Sequence, residues 1–256
     1  MTRDLRSRNQ SAYALRKLSA SWASRQWREC DLMSISDNVK YVRERIAENA
    51  IKTGRRPEDI TLVAVTKSTD INGARELMSC GVSELAENRV QMLREKQKEI
   101  DGATWHLIGH LQTNKVKDVC GRVSLIQSLD SVHLATEIEK TAAKMGLVQD
   151  CLCEVNIFRE ESKGGIMEEE IDDFLGKMSE FDHLRIRGFM TMAPLDAEEA
   201  EIRKGFEKIF KIYVDKQNIM MHNIDISILS MGMSRDFEYA IQEGATHIRV
   251  GRRLFT

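Results

Sequence analysis

The 256-residue sequence lacks an excess of charge of either sign and lacks any long apolar run. It has 38 lysines and arginines against 40 aspartates and glutamates, which gives a formal net charge of -2 at pH 7. This balance provides no strong attraction for nucleic acid or for an anionic membrane. No apolar stretch is long enough for a signal peptide or a membrane-spanning helix. We therefore expect neither nucleic acid nor membrane as a partner.

Cysteine pairs at metal-binding or redox spacing are also absent. The five cysteines form an odd set without a Cys-x-x-Cys motif: Cys30, Cys80, Cys120, Cys151 and Cys153. In a chain of this length, such a set argues against a disulfide framework and favours reduced thiols. The sequence therefore predicts a cytoplasmic protein.

The first 32 residues differ in composition from the rest of the chain. They are rich in arginine and serine, contain only three acidic side chains and show little apolar periodicity. We predict that residues 1–32 form a disordered extension and that residues 33–256 fold as one domain, with Met33 as its natural first residue. A targeting segment of the transit-peptide type and an upstream in-frame start remain the alternatives.

Beyond this extension, helical and strand-like patterns alternate. An apolar stripe predicts a helix over 36–53. Short apolar runs predict eight strands, near 60–66, 82–85, 104–108, 123–126, 151–157, 185–190, 225–229 and 247–250. This alternation favours a single (β/α)₈ barrel, with an open doubly wound sheet as the alternative. We expect no helix after the eighth strand, and we expect helix 36–53 to fill that gap in the outer ring.

Polar side chains collect where the predicted strands end, which is where barrels place their functional residues. Lys67 directly follows the first apolar run, and Asn88, Asn156 and Ser230 end or follow later strands. Burial in an apolar mouth would disfavour the charged ammonium of Lys67 and favour the neutral amine that attacks an aldehyde. The plainer interpretation is a lysine that extends its charge into solvent.

Two glycine-containing segments lie at this end of the barrel: Ser230–Ser234 follows the seventh strand, and Arg249–Arg252 lies at the end of the eighth. Barrels commonly bind phosphate with the loops at these two positions, through backbone N–H groups and hydroxyls. Taken alone, Gly232 would be an ordinary turn glycine and Ser234 an ordinary helix N-cap. Together at this location they predict a cup for a phosphate group.

Several motifs, in this order along the chain, resemble the pyridoxal 5′-phosphate (PLP) homeostasis protein family. The resemblance covers about residues 35–255 and rests on Leu62–Lys67, Glu87–Asn88, Trp105–Lys115, Glu154–Asn156, Ser162–Ile166, Arg187–Thr191, Leu229–Ser234 and Gly244–Gly251. It implies the barrel of the fold-type III PLP proteins, shared with the N-terminal domain of alanine racemases. It also implies a monomer or weak dimer that binds PLP reversibly, without catalysis, and buffers it or delivers it to PLP-dependent enzymes.

The resemblance further implies roles for single residues. Lys67 matches the lysine that forms a Schiff base with PLP, and Arg249 matches the arginine that faces the pyridine nitrogen. The other matched positions line the cofactor or form the phosphate cup: Asn88 and Met190 for the lining, and Ser230, Gly251 and Arg252 for the cup. Arg252 would act there chiefly through its backbone N–H.

An arginine beside the pyridine nitrogen argues against catalysis. A protonated guanidinium disfavours a proton on that nitrogen, and an unprotonated ring is a poor electron sink. Weak, racemase-like activity on amino acids is the remaining enzyme alternative. In alanine racemases the second base is a tyrosine from a separate C-terminal domain, of which we expect no counterpart here.

Two histidines raise the alternative of a metal site. His106 and His110 would point to the same side of a strand, and their spacing is compatible with zinc. No cysteine or carboxylate clearly completes a set of ligands. We therefore predict no metal site, and we predict PLP as the cofactor.

Overall fold

The computed structural model describes residues 34–161 and 163–256. The predicted extension, residues 1–32, lies outside the described residues, as do Met33 and Ser162. The domain boundary at residue 33 therefore stays a prediction. Within the described residues, no helix is long and apolar enough to cross a membrane.

Eight parallel strands form a closed barrel in which each strand pairs with the next and the last pairs with the first. The strands are β1 Thr61–Val65, β2 Glu84–Glu87, β3 Thr104–Leu107, β4 Leu125–Leu129, β5 Gln149–Glu154, β6 Leu184–Met190, β7 Ile224–Ser230 and β8 His247–Val250. Closure is direct, because Val63 of β1 pairs with Arg249 of β8. The predicted (β/α)₈ barrel is confirmed, and the open sheet is excluded.

Helices cover the outside of the barrel. The α-helices of the described residues are α1 Ile35–Lys52, α2 Ile71–Ser79, α3 Val90–Gln97, α4 Val132–Met145, α5 Ile171–Met178, α6 Glu199–Lys216, α7 Phe237–Gln242 and α8 Arg252–Phe255. Between β3 and β4 the cover is a 3₁₀ helix, Thr113–Asp118. Apolar side chains between the strands and these helices form the main core. The inside of the barrel holds polar groups together with two small apolar clusters, Val63 with Val65 and Ala86, and Leu125 with Leu152 and Met190.

Helix α1 fills the gap in the outer ring, as expected. It contacts α2, α7 and α8. Arg45 of α1 forms an ion pair with Glu238 of α7, and Asn38 Nδ2 donates a hydrogen bond to the carbonyl oxygen of Leu254 in α8. Helix α1 therefore bridges the first and last parts of the ring, where β8 meets β1.

The expectation that no helix follows β8 is wrong. The short helix α8 begins at Arg252, directly after Gly251. Its Leu254 is fully buried, so the final turn is held by apolar burial and by the hydrogen bond from Leu254 N to the Gly251 carbonyl. Helices α1 and α8 thus cover the gap together.

Candidate functional site

A cavity of about 840 Å³ opens where the strands end at the C-terminal face of the barrel, the face at which barrels bind ligands. Its apolar wall includes Val65, Ile108, Met192, Ala193 and Leu195. The cavity brings together five of the residues predicted for the site: Lys67, Asn88, Arg249, Gly251 and Arg252. This volume is within the range that accommodates small-molecule ligands.

Lys67 lies in the turn that follows β1. It is exposed at the mouth of the cavity rather than buried. The expectation that Lys67 is buried, and that burial favours its neutral amine, is therefore wrong. Lys163 lines the same cavity, but Lys67 follows β1, which is the neighbour of β8 in the closed barrel, and its amine is accessible to a ligand.

A buried ion pair that was not predicted from the sequence holds this turn. Lys96 of α3 is 1% exposed, and its Nζ lies 2.6 Å from Glu87 Oε1. The same Nζ donates hydrogen bonds to the carbonyl oxygens of Thr66, at 2.6 Å, and Thr69, at 2.9 Å. These three bonds use all the donors of an ammonium group. Lys96 therefore fixes the backbone on both sides of Lys67.

Asn88 reaches the cavity wall just beyond the end of β2. Its backbone lies close to Gly109, which follows β3. A Cβ atom on Gly109 would lie 2.2 Å from the Asn88 carbonyl oxygen, so the two loops approach this closely only because residue 109 has no side chain.

The loops after β7 and β8 meet at one side of the cavity. Ser234 Oγ accepts hydrogen bonds from the backbone N–H of Gly251, at 3.1 Å, and from that of Arg253, at 3.4 Å. The N–H groups of Ser234, Arg235 and Arg252 make no hydrogen bond to the described residues. These donors, with the positive charges of Arg235 and Arg252, which line the same cavity, suit an anion such as phosphate.

Ser234 does not cap a helix. The N-cap of α7 is Asp236, and Ser234 Oγ instead connects the two loops. Gly232 has a φ of +89°, a backbone conformation that favours glycine. The N-cap interpretation is therefore wrong, whereas Gly232 is indeed a turn glycine within the predicted cup.

Arg249 forms the floor of the cavity. It is 3% exposed, and it donates hydrogen bonds to Ser230 Oγ at 2.7 Å and to the Thr191 carbonyl oxygen at 2.8 Å. Burial lowers the pKa of Arg249 to about 10, and the nearby carboxylates of Asp236 and Glu154 oppose this decrease. Arg249 therefore remains protonated at neutral pH.

A chain of hydrogen bonds continues from Arg249 through the inside of the barrel. Ser230 Oγ donates to Gln127 Oε1 at 2.7 Å, because it already accepts from Arg249. Gln127 Nε2 then donates to His106 Nδ1 at 2.8 Å, and His106 Nε2 donates to Glu84 Oε2 at 2.7 Å. The chain supports the guanidinium of Arg249 from below and sets the tautomer of His106.

Two residues predicted for the site do not line the cavity. Met190 and Ser230 are fully buried in the layer beneath it. Met190 packs there against Leu125 and Leu152, and Met192 takes the place on the cavity wall. Direct roles for Met190 and Ser230 toward the cofactor therefore stay predictions.

Asp130 and Glu154 form an acidic patch on the cavity wall, after β4 and at the end of β5. His110 Nδ1 lies 3.1 Å from Asp130 Oδ2. The pKa of Glu154 is raised to about 7, chiefly by burial and also by the charge of Asp130, against the opposing charges of Arg249, His110 and Lys163. Glu154 belongs to the motif Glu154–Asn156, but it was not predicted as a site residue from the sequence.

The two histidines considered as metal ligands lie in different environments. His106 is buried inside the barrel, whereas His110 is exposed beside Asp130. In the part of the chain that the structure describes, no group of three or more histidine, cysteine, aspartate or glutamate side chains could hold a metal ion. The two histidines therefore do not share a site.

Comparison with known proteins identifies the family. The family described as "Alanine racemase, N-terminal domain" matches residues 30–256. The pyridoxal phosphate homeostasis protein of Aquifex aeolicus is 39% identical over 226 residues, which cover 87% of this chain and 98% of that protein. The protein of the same name from Escherichia coli is 32% identical, over 86% of this chain and 95% of that protein.

Solved structures agree with this assignment. PipY of Synechococcus elongatus with PLP bound has a TM-score of 0.72 and 32% identity, over 82% of this chain and 100% of PipY. An alanine racemase of Clostridium difficile has a TM-score of 0.65 at 15% identity, over 86% of this chain and 56% of that chain, and shows the shared fold alone. The chain therefore belongs to the alanine racemase N-terminal domain family and, within it, to the pyridoxal phosphate homeostasis proteins.

Proposed function

We propose that this chain holds PLP as a Schiff base on Lys67, takes it up reversibly, and buffers it or delivers it to PLP-dependent enzymes. One observation carries the proposal: an accessible primary amine lies in the same cavity as a cluster of unpaired anion-binding donors. The names of the relatives and the PLP in the PipY structure support the identity of the cofactor.

The residues of the cavity fit each part of PLP. The unpaired backbone N–H groups on the β7 and β8 side, with the positive charges of Arg235 and Arg252, suit its phosphate. Val65 and Ile108 offer an apolar surface to the ring, and Lys67 offers an amine to the aldehyde. Arg249, on the floor, is the group that would face the pyridine nitrogen.

When bound, PLP supplies an aldehyde carbon that forms a reversible C=N bond with a primary amine. Lys67 provides this amine from a turn that Lys96 holds in place. Its exposure also lets water reach the bond, which suits release as well as uptake. Arg249 stays protonated and so would disfavour a proton on a ring nitrogen placed against it. These residues bind and orient the cofactor without making it a strong electron sink.

An absorption experiment tests the proposal. Mixed with PLP, the full chain should show a band at the edge of the visible range that borohydride abolishes, and dialysis before reduction should remove the band. Lys67→Ala should lack the band, whereas Lys163→Ala, which changes another cavity lysine, should keep it. A band that persists in Lys67→Ala would contradict the assignment.

Delivery needs its own measurement. A PLP-free enzyme should regain activity faster with the PLP-loaded chain than with the same concentration of free PLP. Equal rates of reactivation with loaded chain and with free PLP would contradict delivery and support buffering alone.

Weak racemisation is the second candidate, and Glu154 is the observation that favours it. A cavity carboxyl group with a pKa of about 7 is able to accept a proton near neutral pH. None of the described tyrosines, Tyr41, Tyr213 and Tyr239, lines the cavity; Tyr13 lies outside the described residues. Exchange of the α-hydrogen of alanine in deuterated water separates the candidates: exchange no faster than with free PLP supports binding alone, and faster exchange that Glu154→Gln abolishes supports racemisation.

A further inference from the structure

Glu154 is a buried carboxyl group that no described residue pairs with. It is the last residue of β5, is 7% exposed and lines the cavity. Its carboxylate makes no hydrogen bond or ion pair with residues 34–161 or 163–256. Burying an unpaired charge is costly, and buried polar groups in folded proteins normally have partners. An unpaired carboxylate on a cavity wall therefore indicates a ligand of complementary charge.

The surroundings of Glu154 keep it close to the point of ionisation. Burial, together with the charge of Asp130 after β4, raises its pKa to about 7. The opposing charges are those of Arg249 in β8, His110 after β3 and Lys163 after β5. Near neutral pH Glu154 thus holds a proton part of the time, and it would release that proton when a cation binds beside it.

Charge is distributed unevenly around the ring of strands. The acidic patch, Asp130 and Glu154, follows or ends β4 and β5, whereas Lys67, Arg235 and Arg252 follow β1, β7 and β8. In the closed order, β7, β8 and β1 are neighbours, and β5 is opposite β1. Lys163, after β5, and Asp236, after β7, also line the cavity, so the separation is partial: three cationic side chains lie on the β7–β8–β1 side and two carboxylates on the β4–β5 side. The cavity suits an anionic and a cationic ligand side by side.

We propose that Glu154 and Asp130 form a subsite for the ammonium group of a primary amine that binds in the cavity beside PLP. The inference rests on the proposed function, because an amine is the group that takes up an aldehyde such as that of PLP. A lysine side chain of an acceptor protein and a free amino acid both present this ammonium group. The test distinguishes the two sources.

The test is calorimetric binding of amines to the full chain after borohydride has reduced PLP onto Lys67, so that no reactive carbonyl remains. Butylamine copies the lysine side chain, L-alanine represents free amino acids, and butan-1-ol is the neutral control. We expect butylamine to bind about tenfold more weakly to Glu154→Gln than to the parent. Glu180→Gln, which removes an exposed carboxylate, should leave its affinity unchanged.

The pH profile separates a binding role of Glu154 from a merely structural one. Affinity for butylamine should rise from about pH 6 to about pH 8, because Glu154 loses its proton in this range whereas alkylamines stay protonated to about pH 10. Near pH 7, binding should release protons, seen as a heat that depends on the ionisation enthalpy of the buffer. Glu154→Gln should show neither effect.

Equal affinity of the parent and Glu154→Gln for both amines would overturn the proposal. Weaker binding of butylamine alone identifies a lysine side chain as the source, and weaker binding of L-alanine alone identifies a free amino acid. The PLP-free chain is titrated with the same amines in parallel. Failure to form the reduced adduct contradicts the proposed function. Amine binding to the PLP-free parent and Glu154→Gln chains then still shows whether the subsite exists. If Glu154→Gln does not fold, Asp130→Asn must show the loss of affinity instead.

Discussion

The position of a single residue, Glu154, follows from the alternation of side chains along strand β5. Side chains alternate along β5, so that Cys151 and Cys153 pack toward the helices while Leu152 lies inside the barrel. Glu154 follows this alternation and reaches the cavity at the end of the strand. Its position is a consequence of strand geometry, and its raised pKa is a consequence of burial there.

The unpaired state of Glu154 predicts a pH-dependent cost to stability. Its pKa is raised from 4.5 to about 7, so the folded state binds more protons than the unfolded state between these values. Stability contributed by the protonated form is lost as pH rises through this window. The free energy of unfolding of Glu154→Gln should therefore be higher than that of the parent by less than about 1 kcal/mol near pH 5 and by roughly 3 kcal/mol near pH 8.

Urea unfolding at several pH values measures this difference, with Glu180→Gln as the control for loss of an exposed carboxylate. A difference between Glu154→Gln and the parent that does not change with pH would mean that Glu154 has a partner in the folded protein.

At the scale of elements, helix α3 controls the turn after β1. Lys96 reaches from α3 to the carbonyl oxygens of Thr66 and Thr69, and its charge is balanced by Glu87 at the end of β2. One oxygen of Glu87, Oε2, is buried without a hydrogen bond to the described residues. Removing Lys96 would therefore leave an uncompensated charge in the core.

Lys96→Met should lower the free energy of unfolding by about 3–5 kcal/mol, because breaking a buried ion pair leaves one charge unpaired. Adding Glu87→Leu should recover most of this loss, because it removes the remaining charge. Lys177→Met, which breaks an exposed pair with Asp173, should change stability little. Urea unfolding of the four proteins is the measurement, and a small loss in Lys96→Met would show that the pair is not structural.

The sequence predicted the elements better than the contacts between them. Apolar runs located all eight strands, because strand cores need apolar side chains on both faces of a parallel sheet. The ion pair of Lys96 was missed because a local pattern does not show which buried groups meet: Glu87 is nine residues away, and the carbonyls of Thr66 and Thr69 are 30 and 27 residues away. Helix α8 was missed because only tertiary burial of Leu254 holds so short a segment.

Within the site, sequence motifs located the loops but not the depth of each side chain. Met190 and Ser230 were expected at the cofactor but lie in the layer below the cavity, and Lys67 was expected to be buried but is exposed. Depth along a barrel strand depends on strand tilt and on register shifts such as those in β6. Neither of these is visible in a local pattern of residues.

At the scale of the whole molecule, helix α1 completes the barrel rather than preceding it. Its buried face, with Val39, Val42, Ile46 and Ala50, belongs to the main core. The helix begins at a capping box in which Ser34 and Asp37 satisfy each other's backbone N–H groups. The folded unit therefore includes α1.

Deletion of residues 1–32 should leave thermal stability and PLP binding unchanged, because the capping box and the buried face of α1 remain. Deletion through Gly54 removes α1 and exposes the core between α2 and α7, so it should abolish cooperative unfolding. Thermal melts followed by circular dichroism compare the two truncated chains with the parent. A short deletion that already unfolds the protein would place the domain boundary before residue 33.

The decisive measurement is to identify the residue to which PLP becomes attached. The complex is reduced with borohydride and digested, and the modified peptide is identified by mass spectrometry. We expect one modified peptide, which contains Lys67, and its loss in a folded Lys67→Ala chain. A modification that maps to another lysine, such as Lys115 or Lys163, would contradict the account, as would bound PLP that borohydride attaches to no lysine.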